Sequence, residues 1–170
     1  MGKRGLFITF EGTEGSGKTT QAELLGEWLT KRDPVVVREP GGTELGEQIR
    51  DVLLYKGLEI DPEAEMYLFM ASRRQLIAEV IAPALAARPD ITFWLDGPVE
   101  AGLSRHAEAG KSKDRMERES IEFHRKVAEA YEKLAAAEPK RFVRLDATGS
   151  RDKIHFEVRD RLEPLLQGID

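Results

Sequence analysis

Three glycines and a lysine within eight residues constrain this chain more than any other feature: Gly12-Thr13-Glu14-Gly15-Ser16-Gly17-Lys18-Thr19. The run fits the phosphate-loop pattern of two glycines with four residues between them, followed by Lys and Thr. Its context fits as well. Leu6-Phe7-Ile8-Thr9-Phe10 reads as a buried strand, and Thr20 through Trp28 and Leu29 as an amphipathic helix. A triphosphate tail is a dense anion. Gly12, Gly15 and Gly17 allow a turn whose backbone N–H groups converge, and the helix start adds unpaired donors and the positive end of a dipole. Lys18 is expected to reach the β- and γ-phosphates and the Thr19 hydroxyl to ligand Mg²⁺. The expected ATP-binding stretch is thus Gly12, Thr13, Glu14, Gly15, Ser16, Gly17, Lys18, Thr19 and Thr20. The structural alternative is a glycine turn that only joins strand to helix. The loop alone does not separate a kinase from an ATPase or a GTPase.

At 170 residues the chain is expected to form one domain spanning 1–170. Hydrophobic residues make up 41% and charged residues 34%, the profile of a water-soluble globular protein. No apolar run reaches membrane-spanning length, so no membrane partner is expected. Basic residues at 3 and 4 run straight into the strand pattern, so no signal peptide is expected and the expected compartment is the cytoplasm. Cysteine is absent, which excludes disulfides, thiolate metal sites and cysteine nucleophiles. A net charge of −5 argues against a nucleic-acid polymer as partner, though a few local arginines can still bind a mononucleotide.

Strand and helix patterns alternate along the chain. Val35-Val36-Val37-Arg38 reads as a second strand, followed by a loop at Glu39-Pro40-Gly41-Gly42-Thr43. Leu45, Ile49, Val52 and Leu53 have helical spacing. Asp61-Pro62 reads as an N-cap with proline at the first helical position, opening a long helix through Met66, Phe69, Met70, Leu76 and Val80 to about Ala82, before Pro83. Ile91 to Asp96 is another strand. A charged stretch, Ser104 to Arg118, leads to a helix over Ile121 to Leu134. Phe142 to Asp146 is the last strand, and Ile154 to Leu165 marks the last helix. The expected fold is α/β: a three-layer, P-loop NTPase-type parallel sheet with helices on both faces and its ligand at the carboxyl ends of the strands. His106, His124 and His155 read as surface or helix residues.

Several stretches resemble the bacterial-type thymidylate (dTMP) kinase family in sequence and in order. They are Phe10 to Thr20, Arg38-Glu39-Pro40-Gly41-Gly42-Thr43, Leu68-Phe69-Met70-Ala71-Ser72-Arg73-Arg74, Asp90 to Asp96, Asp114-Arg115-Met116-Glu117, Phe123-His124 and Arg141-Phe142. The resemblance implies a nucleoside monophosphate kinase that moves the ATP γ-phosphoryl to dTMP, giving dTDP and ADP for dTTP synthesis. By that resemblance Glu14 would face the acceptor sugar 3′-hydroxyl, and Arg38 would clamp its 5′-phosphate. Phe69 would stack on thymine, and Arg73 would donate to a base carbonyl. Phe69 and Arg73 are four apart and share a helix face. Arg74 would serve a phosphate or only the surface. A lid over about 104–118 would supply the catalytic arginine, Arg105 or Arg115, with Lys111 and Lys113 in the same stretch. Ala147-Thr148 would lie near adenine. The family is also homodimeric.

One departure is large. In the family, the helix ending in Pro-Ala-Leu is followed by a strand ending in Asp-Arg and then by further helices. Here Pro83-Ala84-Leu85-Ala86-Ala87 runs directly into Arg88-Pro89-Asp90. The absent strand lies in the middle of the family's sheet, between the second strand and the first. Its removal would leave a slot about 4.8 Å wide with two unpaired edges. Phe93-Trp94-Leu95-Asp96 has the form of a Walker-B strand. In the family, however, this strand is a different one, which leaves Asp96 a weak Mg²⁺ candidate. The absent segment motivates one rival reading, a nucleotide-binding remnant that lacks dTMP kinase activity. A second rival, a phosphate-loop kinase for another small acceptor, has the Arg38 to Gly42 stretch and the Phe69/Arg73 pair against it.

Overall fold

The computed structural model describes residues 5–82, 89–108, 115 and 119–167. Pro83, His106, Lys111, Lys113 and the Met116-Glu117 pair lie outside the residues or side chains described. The elements in chain order are β1 (Ile8–Gly12), α1 (Lys18–Trp28), a 3₁₀ turn (Thr30–Arg32), α2 (Glu44–Leu54), α3 (Pro62–Leu76) running into a π-helical turn (Ile77–Ile81), β2 (Ile91–Asp96), α4 (Val99–Glu108), α5 (Ile121–Ala137), β3 (Phe142–Asp146) and α6 (Arg151–Gln167). They form two compact units.

The first unit draws on residues 1–36, 88–112 and 119–170. Its sheet is parallel, in the order β1-β2-β3, with Ile8 opposite Ile91, Gly12 opposite Leu95, and Asp96 opposite Asp146. β2 is central, and its residues from Ile91 to Leu95 are all buried, as expected of a strand covered on both faces. One face carries the apolar core: Ile91, Phe93 and Leu145 meet Leu25 of α1 and Ile154, Val158 and Leu162 of α6. The spacing of the α6 residues is helical, so one stripe of that helix is committed to the sheet. Phe93 is fully buried and stacks on Phe10 with centroids 5.4 Å apart. α5 packs on the strands from the other side.

The second unit draws on residues 37–87 and 113–118. Its centre is Ile49, Leu53 and Leu54 of α2, with Leu68 and Phe69 of α3 packed against them. The predicted helix start at Asp61 is present: Asp61 Oδ1 accepts from the Glu63 and Ala64 amides, with Pro62 at the first position. Thr43, read only as the end of a loop, caps α2, its Oγ1 accepting from the Gly46 amide at 3.0 Å.

Two expectations fail. Val35-Val36-Val37-Arg38 is not a strand, and the valines are exposed at 68%, 53% and 37%. β-branched residues make a strand only where a neighbour offers hydrogen bonds, and among the described residues no strand pairs with this run. No slot opens in the sheet either. β1 pairs directly with β2, and among the described residues its other edge has no strand partner. The helix at Val99–Glu108 has no counterpart in the sequence reading, which treats the chain from Ser104 as a charged stretch.

Phe93→Ala removes the largest fully buried side chain of the sheet and is expected to cost about 3–5 kcal/mol of stability. A urea melt should show the loss as a lower midpoint with an unchanged slope. A midpoint within about 0.5 kcal/mol of wild type would place the core elsewhere.

Candidate functional site

The phosphate loop begins where β1 ends. Gly12 has φ 145°, and a Cβ there would stand 2.5 Å from the Leu95 carbonyl oxygen and 2.8 Å from Ser16 Oγ. Only glycine can turn the chain so close to the neighbouring strand. Gly17, at φ 100°, is the N-cap of α1, and no side chain caps that helix. The first amides of α1 therefore face the loop with no side-chain acceptor of their own. Ser16 Oγ is buried without a hydrogen-bond partner. Lys18 Nζ donates to the loop carbonyls of Gly12 (3.0 Å) and Thr13 (2.8 Å). Uncapped amides, an orphaned hydroxyl and a lysine held by its own loop form a donor set that suits phosphate oxygens.

These groups line a cavity of about 350 Å³ together with Leu95, Arg105 and Arg151. Arg105 is held at its rim: Nε donates to Ala101 O (3.3 Å) and Nη1 to Ala147 O (3.1 Å). Ala147 follows β3 and is buried, and its amide donates to Asp96 O at 2.8 Å. Thr148 turns to Asp146, whose Oδ1 accepts from both its amide and its hydroxyl. Thr19 and Thr20 are exposed. Asp96 is committed elsewhere: its Oδ2 accepts from Arg144 Nε at 2.8 Å in an ion pair. Its Walker-B appearance therefore reflects a strand-end ion pair.

In the second unit, Arg38 opens a loop scaffolded by charge. Arg38 Nη2 donates to Glu47 Oε2 at 2.8 Å, and the other Glu47 oxygen accepts from the Gly42 amide at 2.9 Å. Arg50 Nη1 donates to Pro40 O (3.0 Å), and the Gly41 amide donates to Ser72 Oγ (3.1 Å). Arg73 reaches Glu39 at 3.3 Å. Phe69 is half-buried against the α2 core, and Arg74 is exposed. Arg115 pairs with Glu65 and donates from Nε to Leu53 O at 3.0 Å. Lys18, Glu14 and Arg105 thus belong to one unit, and Arg38, Phe69, Arg73, Arg74 and Arg115 to the other.

The chain is similar to proteins of known kind over nearly its whole length. A sequence model described as thymidylate kinase matches residues 10–88 and 82–158. Thymidylate kinase of Synechococcus sp. (strain JA-2-3B'a(2-13)) is 38% identical over 202 residues, covering 95% of this chain and 96% of the relative. That of Kosmotoga olearia is 36% identical, covering 90% and 93%. The crystal structure of thymidylate kinase from Ehrlichia chaffeensis superposes with a TM-score of 0.71 at 26% identity, covering 96% of this chain and all of the other. The chain belongs to the thymidylate kinase family. The family match divides at residues 82–88, where the sequence pattern loses its segment. An alignment of 202 residues that uses 95% of a 170-residue chain also leaves about forty positions opposite nothing. The similarity does not stop after the phosphate loop, so the remnant reading finds no support.

Electrostatics separate the two groups of this family member. Burial pushes the Lys18 ammonium below the ordinary lysine range, and the Glu14 and Glu11 charges oppose that. Glu11 Oε2 accepts from Tyr131 Oη at 2.9 Å. Burial first, then the Glu11 charge, push the Tyr131 phenol above its usual range, so it stays protonated and donates. The Arg38 hydrogen bond, then the Gly42 amide, hold the Glu47 carboxyl below the usual range. Sequence reasoning missed Glu47, Arg50, Ser72 and Tyr131. Glu47 had a faint signal as an acid in the first turn of α2. Tyr131 had none, lying 120 positions from Glu11. His124 is a helix residue, as read, and it is buried at 3% exposure beside Phe123.

A lowered folded pKa means that the Glu47 contribution is present above the unfolded carboxylate value of about 4.3 and lost as pH falls through the folded value. Both partners are exposed, so Glu47→Gln is expected to cost under about 1 kcal/mol at pH 7. Melts of both proteins should differ at pH 7 and converge as pH falls through the folded value of Glu47. A gap that stays constant into acid would rule out the ion pair as its source.

Proposed function

We propose that this chain moves the γ-phosphoryl group of ATP onto the 5′-phosphate of dTMP, giving dTDP and ADP. As a member of the thymidylate kinase family it is a phosphotransferase that uses ATP and acts on dTMP. The observation that carries the reading is one cavity shared by the uncapped α1 amides, Lys18 and Arg105. The acceptor phosphate is already anionic, so the reaction needs neither a covalent intermediate nor a strong base. Positioning and charge neutralisation supply the rate.

The roles divide as follows. Lys18 and the loop amides hold the triphosphate. Thr19 would hold Mg²⁺, which would supply charge neutralisation for the phosphates; its exposed hydroxyl and the orphaned Ser16 Oγ suit that task. Arg38 clamps the acceptor phosphate, a task that fits its planar fork. Glu14 accepts from the sugar hydroxyl, Phe69 supports the base and Arg73 donates to it, with Arg74 on the surface. Of the two candidate arginines, we assign the transferring charge to Arg105. It lines the ATP cavity, whereas Arg115 is engaged by Glu65 and Leu53 O. The absence of cysteine and the charged surface suit a cytoplasmic enzyme. Among the described residues no helix is long and apolar enough to cross a membrane.

ADP release coupled to NADH oxidation, with dTMP, dUMP, dCMP and dAMP as acceptors, tests the reading. Turnover is expected with dTMP above the others. Folded, ATP-binding protein without dTMP-dependent turnover would sink it, and a preference for another acceptor would reassign the substrate. Lys18→Ala should lower kcat by at least about a hundredfold with the thermal midpoint kept. A homodimer is part of the same proposal, supported by Met66, Tyr67 and Met70, which leave α3 with an exposed apolar face (48%, 57% and 59%). Sedimentation velocity should give twice the 19.1 kDa chain mass, and a species of one chain mass at micromolar concentration would overturn it.

A further inference from the structure

We propose that Gly102 is a positioning residue: by letting α4 touch the phosphate loop backbone to backbone, it delivers Arg105 into the ATP cavity. The inference rests on the reading of Arg105 as the arginine that acts on ATP.

The contact is reciprocal. A Cβ built on Gly102 would stand 2.3 Å from the Glu14 carbonyl oxygen, and one built on Gly15 would stand 1.9 Å from the Gly102 carbonyl oxygen. Real Cβ atoms essentially never approach closer than 3.0 Å. No residue larger than glycine fits at either point without moving helix and loop apart. Gly102 is buried inside a ten-residue helix, where alanine is the better helix former. A glycine at such a place follows from the close approach and not from the needs of the helix.

Arg105 lies three residues on, one turn along the same face. Its guanidinium is tied back to Ala101 O on α4 and across to Ala147 O after β3, so both bonds are made only with α4 seated at this distance from the loop and sheet. Relieving a 2.3 Å contact requires a displacement of roughly an ångström, and a misplacement of that size at a reacting centre costs on the order of a hundredfold. The glycine pair thus couples the loop that grips the phosphates to the helix that carries the neutralising charge.

The test is a double-mutant cycle on the full chain with Gly102→Ala and Arg105→Ala, reading kcat, KM for ATP and KM for dTMP beside thermal midpoints. Gly102→Ala is expected to lower kcat/KM for ATP about 10- to 100-fold, with KM for dTMP within about twofold and the midpoint kept. In the Arg105→Ala background the same change should cost at most about threefold. Wild-type ATP kinetics for Gly102→Ala, or an undiminished cost in the Arg105→Ala background, would overturn the proposal while leaving the assignment of Arg105 intact. Wild-type turnover by Arg105→Ala would remove that assignment and the proposal with it. If Gly102→Ala does not fold, hydrogen exchange on the wild type decides. A non-hydrolysable ATP analogue should protect the 99–105 amides together with those of 12–18, and protection confined to the loop would overturn the coupling.

Discussion

The ladder between β1 and β2 sets Gly12 opposite Leu95, and the phosphate loop leaves the sheet from that point. The Leu95 carbonyl leaves no room for a side chain at Gly12, so the direction of the turn follows from the pairing. The β2–β3 ladder sets Asp96 opposite Asp146 and brings the Ala147 amide onto Asp96 O. Arg105 then finds its acceptor at Ala147 O. Parallel strands gather their carboxyl ends on one side, and each partner of the phosphate-loop cavity hangs from one of those ends.

The same ladder explains how the unit tolerates the loss of a segment that its relatives keep. β1, β2 and β3 are consecutive in space without it, and the core against α1 and α6 needs only those strands. The valines at 35–37 keep strand composition, but no ladder forms among the described residues, and three β-branched side chains stay exposed. A strand is a relation between two chain segments, so composition without a neighbour does not make one.

The loop at Arg38 shows a different logic from the loop at Gly12. In the phosphate loop, burial and backbone amides dominate, and Lys18 is pushed toward losing its proton. Around Arg38, side chains hold backbone: Glu47 on the Gly42 amide, Ser72 on the Gly41 amide, Arg50 on Pro40 O. Individually such exposed charge contacts are weak. Together they satisfy the polar groups of a glycine- and proline-containing stretch that lacks secondary structure of its own.

Sequence by itself determined the features carried within a short window. The loop between strand and helix, the buried strand at Ile91–Asp96, the Asp61-Pro62 helix start and the family motifs at Arg38 and Phe69 all belong here. Each depends on residues a few positions apart, where periodicity, capping and turn chemistry operate. Tertiary structure alone decided that Arg105 lines the phosphate-loop cavity while Arg115 goes to Glu65, and that Tyr131 holds Glu11. It also decided that His124 is buried, that Val35 to Arg38 makes no strand, and that Gly102 meets Gly15. These are pairings between distant segments, set by which backbones come close enough to share hydrogen bonds or exclude a Cβ. No local pattern carries that distance.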